Sequence, residues 1–148
     1  MLRPKGAQGH TIPASMLARL VPAPLVRWFA RPYVAGDSAE AALAVAARLM
    51  EADILATLDV LGEDVHTAAQ VEASTATYRD LIDALAARFP DVASRPSVSL
   101  KPSAFTPGPA AEATGPVRAL AAQAKERGVA VTIDMEDDRW TEFTLDLA

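Results

Sequence analysis

Ser97-Val98-Ser99-Leu100-Lys101, followed at once by Pro102, is the stretch on which the fold reading turns. Its residues alternate, so an extended segment puts Val98 and Leu100 on one face and Ser97, Ser99 and Lys101 on the other. Proline has no N–H to give to a ladder and ends the strand. Downstream, Val129, Val131, Ile133 and Met135 alternate with Ala130, Thr132, Asp134 and Glu136, which predicts another strand. Upstream, Ile54-Leu55-Ala56-Thr57-Leu58-Asp59-Val60-Leu61 is short, almost wholly apolar and closed by Gly62, the pattern of a strand covered on both faces.

Helical periodicity fills the intervals. Asp37 with Glu40 predicts a capping box for a helix over about 38–51, whose Leu43, Ala46, Leu49 and Met50 share a face. Thr67 with Gln70 opens a second, with Val71, Tyr78, Leu81, Ile82, Leu85 and Phe89 at helical spacing until Pro90. After a loop at 106–109 that carries Pro and Gly, a third helix over about 111–127 turns Val117, Leu120, Ala121 and Ala124 inward and stops at Gly128. A fourth begins at Thr141, after Asp137-Asp138-Arg139-Trp140.

Strand-helix units in series require right-handed crossovers and hence a parallel sheet. Three strands are too few to close a barrel, and an eight-fold barrel needs about 200 to 250 residues. The 148 residues therefore predict an α/β fold, the N-terminal half of a (β/α)8 TIM-like barrel with three βα units and the start of a fourth helix. The alternative is a small complete α/β domain whose sheet edge is covered by the N-terminal segment or by a second copy. Residues 1–36, broken by Pro4, Pro13, Pro22, Pro24 and Pro32, read as a Pro-rich lead-in with room only for helical turns at 15–20 and 25–30; residues 37–148 read as the partial barrel.

Composition narrows the function. With 51% hydrophobic residues and a mean hydropathy of +0.13, the chain can bury a core, so disorder is not expected. No run of about 18 apolar residues is free of charge or proline, which predicts a soluble protein without a transmembrane helix. The absence of cysteine excludes disulfides, thiolate catalysis, zinc ribbons and iron–sulfur ligation, and fits a reducing, cytoplasmic setting. The lead-in holds Arg3, Lys5, Arg19, Arg27 and Arg31 and no acid, whereas residues 37–148 carry the excess of acids, so no nucleic-acid partner is expected. The mixture of Leu17, Arg19, Leu20, Val26, Arg27, Trp28 and Phe29 suits peripheral contact with a membrane surface, or plain packing against the domain.

Reactive groups of parallel α/β folds gather at the carboxyl ends of strands. The residues that stand out there are Asp59 with the following Glu63 and Asp64, then Lys101, then Asp134 with Glu136. An unpaired ammonium inside a strand costs several kcal/mol, so Lys101 needs a carboxylate, an anionic ligand or an escape to the strand edge. A pair between Lys101 and Asp134 on neighbouring strands would neutralise both, and is equally consistent with a structural salt bridge. Asp59, Glu63, Asp134, Glu136 and Asp137 could instead gather a divalent metal, but His10 and His66 lend no support and no metal site is assigned. There is no GxGxxG, GxxxxGK[ST] or GxSxG motif.

At these strand ends the sequence resembles the proline dehydrogenase family. The matching pieces stand in family order: Tyr33-Val34-Ala35-Gly36-Asp37, Ala56-Thr57-Leu58-Asp59-Val60-Leu61-Gly62-Glu63, Val98-Ser99-Leu100-Lys101-Pro102-Ser103 and Val131-Thr132-Ile133-Asp134-Met135-Glu136-Asp137. The resemblance implies a distorted β/α barrel that uses FAD to oxidise L-proline to pyrroline-5-carboxylate, with electrons passing to an acceptor such as a quinone at the inner face of the membrane. By resemblance, Lys101 holds the substrate carboxylate and Asp134 orders the site beside it, while Asp59, Glu63 and Glu136 form the site wall or support it. Most flavin contacts and an arginine pair are expected from later strands outside this sequence. The chain is thus expected to act with a complementary C-terminal half, or to self-associate through its open sheet edges. Two other readings stand beside this one: a non-catalytic α/β fragment, and a carboxylate-rich metal-dependent barrel enzyme.

Overall fold

At the centre of the computed structural model, which describes residues 34–36, 38–62 and 65–147, lie three short strands: β1 (Thr57–Asp59), β2 (Ser97–Leu100) and β3 (Val131–Ile133). They pair in parallel in chain order, Leu58 standing opposite Val98 and Val98 opposite Val131. Four helices accompany them: α1 (Ala39–Glu51), α2 (Ala68–Arg88), α3 (Thr114–Arg127) and α4 (Asp138–Leu147). The chain divides into two units between Gly36 and Asp37, and every element named here belongs to the second. The helical turns expected at 15–20 and 25–30, and the loop residues Glu63 and Asp64, lie outside the described residues.

Local chemistry sets the helix ends. The side chain of Thr67 accepts from the Gln70 amide at the start of α2. At α1 the cap is Ser38, which accepts from the Ala41 amide, and not the expected Asp37, itself outside the described residues. The third helix does not run continuously from 111. Ala110–Ala113 forms a 3-10 turn and α-helical bonding starts at Thr114, because Pro116 has no N–H to return to the carbonyl of Glu112. A second 3-10 turn, Pro102–Phe105, follows β2 and is wholly buried. The fourth helix begins three residues earlier than its periodicity suggests, since the Asp137 carboxylate accepts from the Arg139 amide and opens the first turn.

The expected coverage of β1 on both faces is corrected. Leu58, Val98 and Leu100 join Tyr78, Ile82, Leu85, Val117 and Leu120 in one core beneath the sheet. On the opposite face Thr57, Asp59 and Thr132 are exposed and Ser97, Ser99 and Lys101 half-buried. β1 is also shorter than the apolar run: Ile54 and Leu55 are exposed, since pairing begins only where Ser97 donates to the Ala56 carbonyl. Met135, expected on the apolar face of β3, is half exposed because the chain leaves the sheet after Ile133. The described residues thus form an α/β fold, a three-stranded parallel sheet with helices packed on one face.

Arg95 ties the far end together. Its guanidinium donates to the carbonyls of Phe89 at 2.7 Å, Pro90 at 3.2 Å and Gly128 at 3.0 Å, and to that of Arg127, so one side chain satisfies acceptors at the C-terminal ends of α2 and α3. Gly128 is left-handed at φ 64°, and a Cβ there would meet Arg95 Nη1 at 3.0 Å, so glycine is required on both counts. Arg95→Ala is expected to cost about 1.5 to 3 kcal/mol of unfolding free energy in a urea titration. Arg95→Lys should recover little, since an ammonium cannot span carbonyls that a planar fork reaches; a stability change below about 0.5 kcal/mol would refute the clamp.

Candidate functional site

The register that pairs Val98 with Val131 continues past the strand ends. Three residues on, Lys101 meets Asp134, its Nζ 2.9 Å from Asp134 Oδ2. Two further on, Ser103 meets Glu136, whose carboxylate accepts from the Ser103 amide at 2.9 Å and from the Ser103 hydroxyl. Alternation therefore delivers two polar pairs in succession from one run of sequence. The first lies at the open face of the sheet; the second staples the 3-10 turn after β2 to the segment after β3.

Lys101 has a second carboxylate that spacing did not disclose. Asp59 Oδ2, at the end of β1, lies 2.8 Å from Nζ, so the ammonium bridges the carboxyl ends of all three strands. The lysine side chain is 13% exposed, against 32% for Asp59 and 42% for Asp134. Lys101 is accordingly a covered stem with its charge directed into a solvent-open face, and not the fully buried cation that a two-sided sheet would impose. The hydrogen bonds it donates to Asp59 first and Asp134 second push its pKa well above the ordinary lysine value, against the opposing effect of desolvation. It stays charged throughout the neutral range.

Below these charges the same face carries hydroxyls. Thr57 and Ser97 hydrogen-bond across the first strand pair at 2.7 Å, and Ser99 stands opposite Thr132. Beside them opens a cleft of about 350 Å³ lined by Lys101, Asp134, Met135, Glu136, Asp137, Arg139 and Trp140, large enough for a small organic molecule. Trp140 is buried beneath it and packs edge-on to Phe143 at 5.8 Å. The indole was readable as part of α4 had Asp137 been taken as a cap.

The structure therefore brings Lys101, Asp59 and Asp134 into one cluster and sets Glu136 beside it, turned to Ser103; Glu63 lies outside the described residues. Of the five carboxylates that could gather a metal, Asp59, Asp134, Glu136 and Asp137 are described. Asp59 and Asp134 are both engaged by the ammonium, and among the described residues no group of three or more His, Asp or Glu side chains is disposed to hold a cation.

Asp134 and Lys101 should be energetically coupled. A double-mutant cycle with Asp134→Asn and Lys101→Met is expected to give about 0.5 to 2 kcal/mol, reduced by the exposure of Asp134; additive effects would show that the pair does no work. The raised lysine pKa also has a sign. Its stabilisation is present in full below about pH 10, where the lysine of the unfolded chain is protonated too, and is lost as pH rises through the higher folded value. The stability difference between wild type and Lys101→Met should stay constant from neutrality to about pH 10 and shrink above it. Its disappearance by pH 9 would contradict the assignment.

Comparison with known proteins bears on the family and the fold. The sequence profile of the proline dehydrogenase family matches residues 42–148. Proline dehydrogenase 1 of Bacillus subtilis subsp. natto is 34% identical over 119 residues, 80% of this chain and 38% of that protein. Proline utilization A (PutA) from Bdellovibrio bacteriovorus, solved after inactivation by N-propargylglycine, shares the fold with a TM-score of 0.73 at 21% identity, over 82% of this chain and 15% of that one. A mutant of Bradyrhizobium japonicum PutA matches with a TM-score of 0.60 at 25% identity, over 98% of this chain and 17% of that one. The chain thus spans little more than a third of its curated relative, with its strand-end lysine and aspartates inside the matched region, and it belongs to the proline dehydrogenase family.

Proposed function

We propose that this chain supplies the substrate-carboxylate side of an FAD-dependent enzyme that oxidises L-proline to pyrroline-5-carboxylate in proline catabolism, as the first part of a β/α barrel. The observation that carries the reading is Lys101 held by Asp59 and Asp134 at the ends of three parallel strands. A cation flanked by carboxylates at an open strand end complements a small zwitterion, since both signs of charge stand within hydrogen-bond distance of each other. In this reading the Lys101 ammonium binds the proline carboxylate through a charge-assisted hydrogen bond. Asp59 and Asp134 hold the ammonium in place, and the cleft toward Trp140 takes the ring.

The donor set suits a flavin in part. The hydroxyls of Thr57, Ser97, Ser99 and Thr132 and the Lys101 ammonium offer polar contacts to the edge of a planar, acceptor-rich ring. A dinucleotide also needs a cradle for its phosphates, and among the described residues no glycine-rich turn opens a helix to make one; the single-glycine loop at 106–109 leads only into a 3-10 turn. The proposal therefore assigns the phosphate and adenine contacts to a complementary C-terminal half. When bound, the flavin supplies the two-electron acceptor that these side chains lack. A quinone is the proposed onward acceptor, with the cytoplasmic enzyme touching the inner face of the membrane.

In protein that turns over proline with its complementary half, Lys101→Ala is expected to raise KM for L-proline by about 10- to 100-fold, the value of a charge-assisted hydrogen bond. Bound FAD, read from its absorbance, should be unchanged. An unaltered KM in folded, flavin-loaded variant would defeat the reading.

A further inference from the structure

We propose that Tyr78 is a positioning residue of this site: its buried phenol donates to Asp59 Oδ1 at 3.3 Å and so aims Asp59 Oδ2 at the Lys101 ammonium, 2.8 Å away. The two aspartates reach the lysine differently. Asp134 follows the strand register straight across to Lys101, whereas Asp59 stands opposite Ser99 and must reach a residue two positions further on. A carboxylate that is one-third exposed has rotamers that point into solvent, so a diagonal reach needs a second anchor.

Tyr78 has the construction of such an anchor. It is fully buried in α2, its ring tilted on Phe105 of the turn after β2 with centroids 5.4 Å apart. Its hydroxyl is thereby fastened to the last residue of β1. Burial first, then the charge of Asp59, pushes the phenol pKa far up, which keeps the proton on the oxygen and the donor role intact. A tyrosine needed only for volume would not require a hydroxyl that donates to Asp59. Its position in the periodic run Val71 to Phe89 marks it as core and hides the hydroxyl.

The test reads the lysine directly. The chain has three lysines, Lys5, Lys101 and Lys125, so the ammonium of Lys101 can be assigned in ¹⁵N-lysine NMR by its loss in Lys101→Arg. Tyr78→Phe is expected to speed exchange of the Lys101 ammonium hydrogens about two- to tenfold, the range of one hydrogen bond, with Lys125 unmoved. Unchanged exchange overturns the proposal, as does an equal change at Lys125. Should Tyr78→Phe fold poorly, 3-fluorotyrosine at position 78 keeps ring and hydroxyl and strengthens the donor; it should slow that exchange, and no change there overturns the proposal too. The consequence for substrate rests on the proline reading above. With turnover measurable, Tyr78→Phe should raise KM for L-proline about two- to tenfold with kcat within about twofold, and add nothing in a Lys101→Ala background. If Lys101→Ala leaves KM unchanged, the proline reading fails while the NMR result still decides the role of Tyr78.

Discussion

An ammonium at the carboxyl end of the middle strand is the constraint around which the rest is arranged. Lys101 keeps its stem covered and its ammonium paired, which requires carboxylates from both neighbouring strands to stand within 3 Å of it. That requirement fixes the register at the strand ends, since a slip of one residue would turn Lys101 into the apolar layer beneath. It also demands that the face above the sheet be open and polar, which the hydroxyls of Thr57, Ser97, Ser99 and Thr132 provide.

Stability and site occupy opposite ends of the same elements. At the N-terminal end of the sheet Arg95 gathers carbonyls from the ends of α2 and α3, and its contacts are with backbone alone. At the carboxyl end the contacts are between side chains of different strands, and several are partly solvated. Between them lies the apolar layer of Val98 and Leu100 against α2 and α3, one core that joins the two ends. Tyr78 and Phe105 reach from this layer up to the site, so packing below bears on geometry above.

Membership of the proline dehydrogenase family rests on sequence, and the shared fold with PutA rests on structure. The family match, over residues 42–148, contains β1, β2 and β3 and the charged residues at their ends. What the chain offers on its own is a lysine, two aspartates and a cleft: the means to hold and orient a small charged substrate. In the proposed reading the electron acceptor is a bound group, since none of these side chains can take two electrons.

The order of elements was legible from the sequence because burial imposes periodicity on each one locally. Val98 and Leu100 alternate, Tyr78, Ile82 and Leu85 recur at helical spacing, and a lone lysine and aspartate at two strand ends announce themselves by being out of place. The parallel sheet in chain order followed from strand-helix alternation. Other features depend on partners distant in sequence and carry no local mark. The apolar run 54–61 looked covered on both faces, yet only its pairing with β2 decides that three residues form a strand and that Thr57 and Asp59 face an open side. The diagonal reach of Asp59 to Lys101 spans 42 residues, and the bond from Tyr78 is hidden because periodicity records the ring and not the oxygen. Sequence by itself determined which residues are apolar at which period; tertiary structure decided which polar atoms meet, because a hydrogen bond is set by angstroms between strands and not by residues along one.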